Sequence, residues 1–227
     1  MMTEQEYRKQ FDEEQSVGWE AIDAELEKIY GEQEPRHYAA MIKWWMGGND
    51  PLDGTSIYDC HAPVFHRHLV SYGMSELYFN PERAGQEYSK WGFEFTFRLA
   101  PYQGDDEYNN AEHEPIWAIN LMNNLARYVF ESGNYFDAYH FIPTNSPIKA
   151  DCETALVGIA FVPDTQLPTI QTPHGEVQFL QMVGLTQAEL DWLWQDPKTN
   201  RCKELVDKMR VDNPDLITDL TRTKSYV

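Results

Sequence analysis

Hydrophobic positions recur along this chain with two periods, and each period marks a different kind of element. Trp19, Ile22, Leu26, Ile29 and Tyr30 return at helical spacing and fall within about 100° of a helical wheel, the width of a surface helix's buried stripe. Ser16 suits the N-cap and Gly31 the position where a helix stops, so the pattern predicts a packed amphipathic helix over 16–30. In WGFEFTFRLA the period is two. Trp91, Phe93, Phe95, Phe97 and Leu99 point to one face, and Gly92, Glu94, Thr96 and Arg98 to the other. The first face is core; the second is wet or covered by something polar.

From Pro115 to Ser132 the helical period returns, with Gly133 as its stop. Trp117, Ile119, Leu121, Met122, Leu125, Val129 and Phe130 span more than half the wheel. Asn120, Asn123, Asn124, Arg127 and Glu131 make the narrow polar arc, so this helix is expected to be buried on most sides against a sheet. Strand-like runs are expected at Ile57–Cys60, His68–Tyr72, Tyr139–Ile142, Ala155–Val162 and Val177–Val183, the last after a turn at QTPHGE. GGNDPLDG (47–54) is the densest turn cluster, and residues 101–114 read as a polar loop. Thr186 with Glu189 forms a capping box opening a short Trp-rich helix, and Arg201–Val211 reads as another. Strands and helices alternate without a regular βαβ period. That favours an α+β fold: a single compact domain whose mixed, mostly antiparallel sheet packs against helices. No internal repeat or linker divides residues 16–227.

Charge changes the picture at the N-terminus. The first 34 residues hold eleven acids and three bases, and residues 1–15 read as a solvated acidic arm. The whole chain of 227 residues carries −19, a field that repels nucleic acid and anionic membranes and suits a basic protein partner. No stretch approaches the length of a membrane span, and no hydrophobic leader opens the sequence. Cys60, Cys152 and Cys202 are odd in number and unrelated in spacing, so free thiols in the cytoplasm are expected.

Candidate chemistry is sparse. Gly47-Gly48 lacks the phosphate-loop pattern and is followed by Asp50 and Asp53. A metal reading rests on Asp59, Cys60, His61, His66 and His68, because His66 and His68 share a face if extended. Their spacing fits no established metal signature, and the structural reading is preferred. Cys152, His140 and Asp137 supply the residue types of a thiol–imidazole catalyst, but nothing in the sequence brings them within reach of proton transfer.

KWWMGGNDPLDG (43–54), HLVSYGMSELY (68–78), WGFEFTFRL (91–99), LMNNLARYVFESGNYF (121–136), QTPHGEVQFLQMVGLTQAEL (171–190) and LITDLTR (216–222) closely resemble the N-terminal domain of the Suppressor of fused family. The resemblance implies a mixed α/β domain without catalytic activity or cofactor, working by protein–protein contact. In the animal members a second, C-terminal domain closes with the first on a peptide from a zinc-finger transcription factor. This chain ends at Val227, so that clamp is not expected; it looks like the stand-alone bacterial members, some proposed as immunity proteins of polymorphic toxin systems. Within the implied peptide groove, Tyr128 matches a groove-lining tyrosine. An aspartate preceding the histidine at His140 does not carry over: Tyr139 stands there, with Asp137 two positions earlier. On the wheel Tyr128 lies beside Asn124 at the border of the apolar arc. The expected binding residues are therefore Tyr128, Asn124, Asp137, Tyr139 and His140, in a monomer or weak homodimer that neutralises a protein partner. The rivals are a regulatory adaptor that sequesters a peptide motif and a metal- or thiol-dependent hydrolase.

Overall fold

The computed structural model describes residues 2–103, 106–108, 111–197 and 200–227, with backbone alone at 106–108 and 111–113. In chain order the strands are β1 (Arg36–Ala39), β2 (Gly54–Cys60), β3 (His66–Tyr72), β4 (Tyr88–Leu99), β5 (Asp106–Tyr108), β6 (Ala111–Glu114), β7 (Phe141–Pro143), β8 (Leu156–Pro163), β9 (Ile170–Thr172) and β10 (Gly175–Thr186). The helices are α1 (Glu4–Gln10), α2 (Val17–Tyr30), α3 (Ile116–Ser132), α4 (Gln187–Trp194) and α5 (Arg201–Asp212). One sheet runs in the order β1-β2-β3-β4-β10-β8-β7, with β9 paired to β10. All its pairings are antiparallel except the central one, where β10 lies parallel to β4.

The alternation of β4 sorts its side chains as the sequence predicts. Phe93, Phe95, Phe97 and Leu99 pack with Ala118, Met122, Ala126 and Val129 of α3 in one core. Burying each large side chain contributes about 1.5–3 kcal/mol, so the wide apolar arc of α3 is what seats it on the sheet. On the opposite face α2 packs Ile22 and Leu26 onto Val70, Tyr72, Val177 and Phe179. A third cluster joins Leu193 of α4 and Leu205, Val206 and Met209 of α5 to Val162, Val183 and Leu185. The Thr186–Glu189 capping box is formed in full.

The second face of β4 is not wet. Glu94, Thr96 and Arg98 are fully buried. Glu94 accepts from Ser71 Oγ and Ser75 Oγ, each at 2.6 Å, and from the N–H groups of Gly73 (3.0 Å) and Ser75 (2.9 Å).

Several boundaries differ from expectation. Residues 1–15 were expected as a solvated arm. Instead Thr3 and Glu6 cap α1, and fully buried Tyr7 shares a hydrogen bond of 2.8 Å with His174 Nε2. The strand expected at Tyr139–Ile142 starts at Phe141, because Tyr139 takes φ 67° and turns the chain. The expected polar loop 101–114 carries the β5–β6 hairpin; its residues 104, 105, 109 and 110 lie outside the described residues. Strand β1 has no strong alternation to announce it.

Candidate protein-binding site

The last turns of α3 and the segment after it carry the predicted binding residues. Helix α3 ends at Gly133, whose φ of 74° reverses the chain at little steric cost. Tyr128 is 48% exposed, in keeping with its border position on the wheel. Its ring leans on Phe136 at 5.8 Å, its hydroxyl accepts from Asn134 Nδ2 at 3.2 Å, and its carbonyl accepts from Ser132 Oγ at 2.6 Å. Phe136 is buried and stacked on Phe161 of β8 at 4.2 Å. The half-exposed tyrosine thus stands on a fixed aromatic base. Asn124, one turn earlier, is exposed; its carboxamide accepts from Arg127, which also pairs with Asp50.

Asp137 and His140 are brought together by a tight turn. The His140 N–H donates to the Asp137 carbonyl at 3.1 Å, and the Asp137 N–H donates to His140 Nδ1 at 3.2 Å, so the imidazole proton is assigned to Nε2. Asp137 Oδ1 accepts from the Ala138 N–H at 2.7 Å. Tyr139 is half-buried against the α4–α5 cluster and donates its N–H to Phe161 O at 2.6 Å. Tyr139 is therefore more a support of the turn than a free contact. Phe136 links the two halves of the face, touching Tyr128 and leading directly into Asp137. A cleft of about 470 Å³ opens between Tyr135–Asp137 and the start of β4.

The histidine–cysteine group is a different kind of place. His66 and His68 do share a face of β3, and both are fully buried. His66 Nδ1 donates to Val64 O at 2.9 Å, and its Nε2 faces Arg98 Nη1 at 3.4 Å. His68 Nε2 donates to Asp164 Oδ2 at 3.2 Å, and its Nδ1 accepts from the Tyr30 hydroxyl at 2.7 Å. Tyr30 in turn meets Cys60 Sγ at 3.3 Å. Burial, with Arg98 second, pushes the His68 imidazole down to about 4, so it is neutral at pH 7. Burial opposes ionisation of Asp164, but His68, Arg98 and Thr96 outweigh it and hold the carboxyl well below the usual range. The charge that secures this is Arg98, since His68 is neutral.

A guanidinium thus occupies the ground a metal ion would need. Among the described residues no group of three His, Cys, Asp or Glu side chains could hold a metal ion. Of the other catalytic grouping, Asp137 and His140 meet in their exposed turn, while Cys152 is buried in the α3-side core.

The model of the Suppressor of fused protein family matches residues 48–223. The chain belongs to that family. The human Suppressor of fused homologue is 35% identical over 216 residues, covering 90% of this chain, and the mouse homologue is 34% identical over the same length. The chain spans 43% of the length of either curated relative. Among solved structures, a chain of the Sufu–Fu complex superposes with a TM-score of 0.81 at 29% identity, covering 93% of both chains. Drosophila Suppressor of Fused gives 0.80 at 30% identity, covering 95% of this chain and 52% of that one. A Neisseria gonorrhoeae homologue shares the fold, with a TM-score of 0.60 at 15% identity.

Suppressor of fused proteins are regulatory proteins that bind other proteins. The LITDLTR block has a structural task that its residues alone do not announce. Arg222 grips buried Glu189 with two hydrogen bonds of 2.8 and 3.1 Å, and Thr218 Oγ1 accepts from the Gly184 N–H at 3.0 Å. The block fastens the chain's last segment to the sheet and to the cap of α4.

Proposed function

We propose that this chain is a non-enzymatic protein-binding domain that neutralises a basic protein partner, as an immunity protein neutralises a toxin. It engages that partner through Tyr128, Asn124 and the Asp137–His140 turn. The observation that carries this reading is Tyr128: a large aromatic side chain, half-exposed, on a rigid base of Phe136 and Phe161. An anchor so held loses little entropy on binding. The net charge of −19 supports a basic partner, which long-range attraction would steer to the surface. The same reading puts the chain in the cytoplasm as a monomer or weak homodimer, with its three buried cysteines reduced. No described helix is long and apolar enough to cross a membrane. A second reading, a regulatory adaptor that sequesters a peptide motif, is supported by the 35% identity to the human homologue.

Binding kinetics with a captured partner test the proposal. Tyr128→Ala is expected to leave the melting temperature nearly unchanged and to speed dissociation about 30-fold, corresponding to ~2 kcal/mol for an aromatic hot spot. Association should slow steeply with salt. Unchanged affinity in a folded Tyr128→Ala protein removes this face, and a salt-independent on-rate removes the electrostatic argument. A partner whose own toxic activity is suppressed on binding supports neutralisation. A non-toxic partner held through a short peptide supports the adaptor.

A further inference from the structure

The strand order of the sheet ends at β7, beside the face described above, and at β1 on the far side, with β9 a short outer strand on β10. An outer strand presents backbone donors and acceptors that its own sheet does not use. In the β1–β2 ladder Ala39 lies opposite Gly54, and the Ala40 N–H donates to Asp53 O at 2.9 Å. That alternation turns the N–H and C=O groups of His37 and Ala39 away from β2.

A cavity of about 610 Å³ opens at this edge, between Tyr38–Ile42 and the first half of α3. Two neutral polar atoms of its lining residues are buried and without a partner among the described residues. They are Thr55 Oγ1, on a fully buried side chain, and Asn123 Oδ1. Buried polar atoms normally find partners, and a ligand offering hydrogen bonds would supply them. The acid of the lining, Asp50, is already paired with Arg127, and burial holds His37 towards its neutral form. The lining therefore favours neither an anion nor a metal ion. Two apolar side chains of the lining stand exposed: Met41 at 100% and Ile42 at 56%. These side chains sit on a closed turn. The Gly48 N–H donates to Lys43 O at 3.0 Å, and a Cβ on Gly48 would lie 2.0 Å from Ile42 O.

We propose that this edge is a second docking site, which takes an extended, uncharged and largely apolar segment of a protein partner as an added strand on β1. A peptide backbone brings donors and acceptors at the spacing of His37 and Ala39. A neutral polar side chain of the segment, entering the cavity on the sheet face, would approach Asn123 Oδ1 and Thr55 Oγ1, while its apolar side chains cover Met41 and Ile42. A second copy of the chain is disfavoured as the occupant, because each copy brings −19 to the contact. The lining does not include Tyr128, although Arg127 joins its Asp50 to Asn124 of that face.

Random octapeptides displayed on phage, panned on the purified full chain and then synthesised, test the site. The expected result is a peptide that slows amide exchange at His37 and Ala39. It should bind at least 10-fold more weakly to Ala39→Pro, which removes the outward N–H while sparing the β1–β2 bonds. Thr55→Val keeps the side chain's shape and should weaken it several-fold, and Tyr128→Ala should have no effect. If Ala39→Pro does not fold, the exchange map and Thr55→Val decide. Recovery of no binder, protection confined to other amides, or full affinity in both edge variants overturns the proposal. So does a homodimer in sedimentation velocity that Ala39→Pro dissociates, since the edge would then belong to a second copy.

Discussion

Replacing Asp164 by alanine removes the acceptor of five hydrogen bonds. They come from Thr96 Oγ1 at 2.6 Å, Arg98 Nη2 at 3.0 Å, His68 Nε2 at 3.2 Å and the N–H groups of Gln166 (2.8 Å) and Leu167 (2.9 Å). The ion pair as such is not the main loss, because two buried charges repay much of their attraction in desolvation. What hurts is the charge left behind. Arg98 is fully buried, and Asp164→Ala leaves its guanidinium inside the sheet without its carboxylate. Breaking one side of such a pair costs about 3–5 kcal/mol, against a total stability on the order of 5–15 kcal/mol. Asp164→Ala combined with Arg98→Met removes the charge as well as its partner. The double variant should therefore be more stable than the sum of the two single losses implies, by at least ~2 kcal/mol. Urea unfolding followed by tryptophan fluorescence reads both numbers as midpoint shifts at constant slope. A loss below about 1 kcal/mol for Asp164→Ala, or strict additivity in the double variant, would refute the claim that Asp164 is what makes a buried Arg98 tolerable.

Acid should weaken the fold through His68. Burial depresses its folded pKa to about 4 from an unfolded value near 6.5, so its contribution is complete above pH 6.5 and is lost as pH falls towards 4. The loss is about 3 kcal/mol over that window, and a stability that stays flat from pH 6.5 to 4 contradicts it. Tyr7→Phe deletes the hydrogen bonds to His174 Nε2 (2.8 Å) and from the Asn80 N–H (3.2 Å). It should cost about 1–2 kcal/mol in the same assay, and no change would mean that α1 does not hold on to the domain in solution. Phe95→Asp puts a charge among Phe93, Phe136 and Phe161, at ring distances of 5.1 to 5.9 Å, and should leave no folded protein. A soluble variant with wild-type melting would show that Phe95 does not lie in the core.

What the sequence made legible was local, and what it hid was distant. The β4 alternation, the broad apolar arc of α3 and the Thr186–Glu189 cap are each written within a few residues, and each is present. Tyr7 was hidden among acids because its partner His174 lies 167 positions away. The shared face of His66 and His68 could be read from their spacing. What covers that face could not, since Asp164 is 96 positions from His68. At the candidate site the half-exposure of Tyr128 followed from its place on the wheel. The Asp137–His140 turn did not, because a positive φ at Tyr139 is rare for a non-glycine residue and carries no signal in its neighbours.

The two faces of β4 also bear on where binding can occur. A row of phenylalanines on one face needs only apolar cover, and α3 supplies it. Glu94, Thr96 and Arg98 on the other face must each be given hydrogen bonds before they can be buried at tolerable cost. The segments at 73–75 and 164–167 provide them, reaching Glu94 through the Gly73 and Ser75 N–H groups and Arg98 through Asp164. Those loops are therefore spent on holding the sheet and are not free to recognise a partner. The outer side of β1 and the turn that enters β7 take no part in that internal network. A domain that commits its central strand to internal polar bonds in this way gains a fixed scaffold, in keeping with the proposals that place recognition at the β1 edge and at the exposed end of α3.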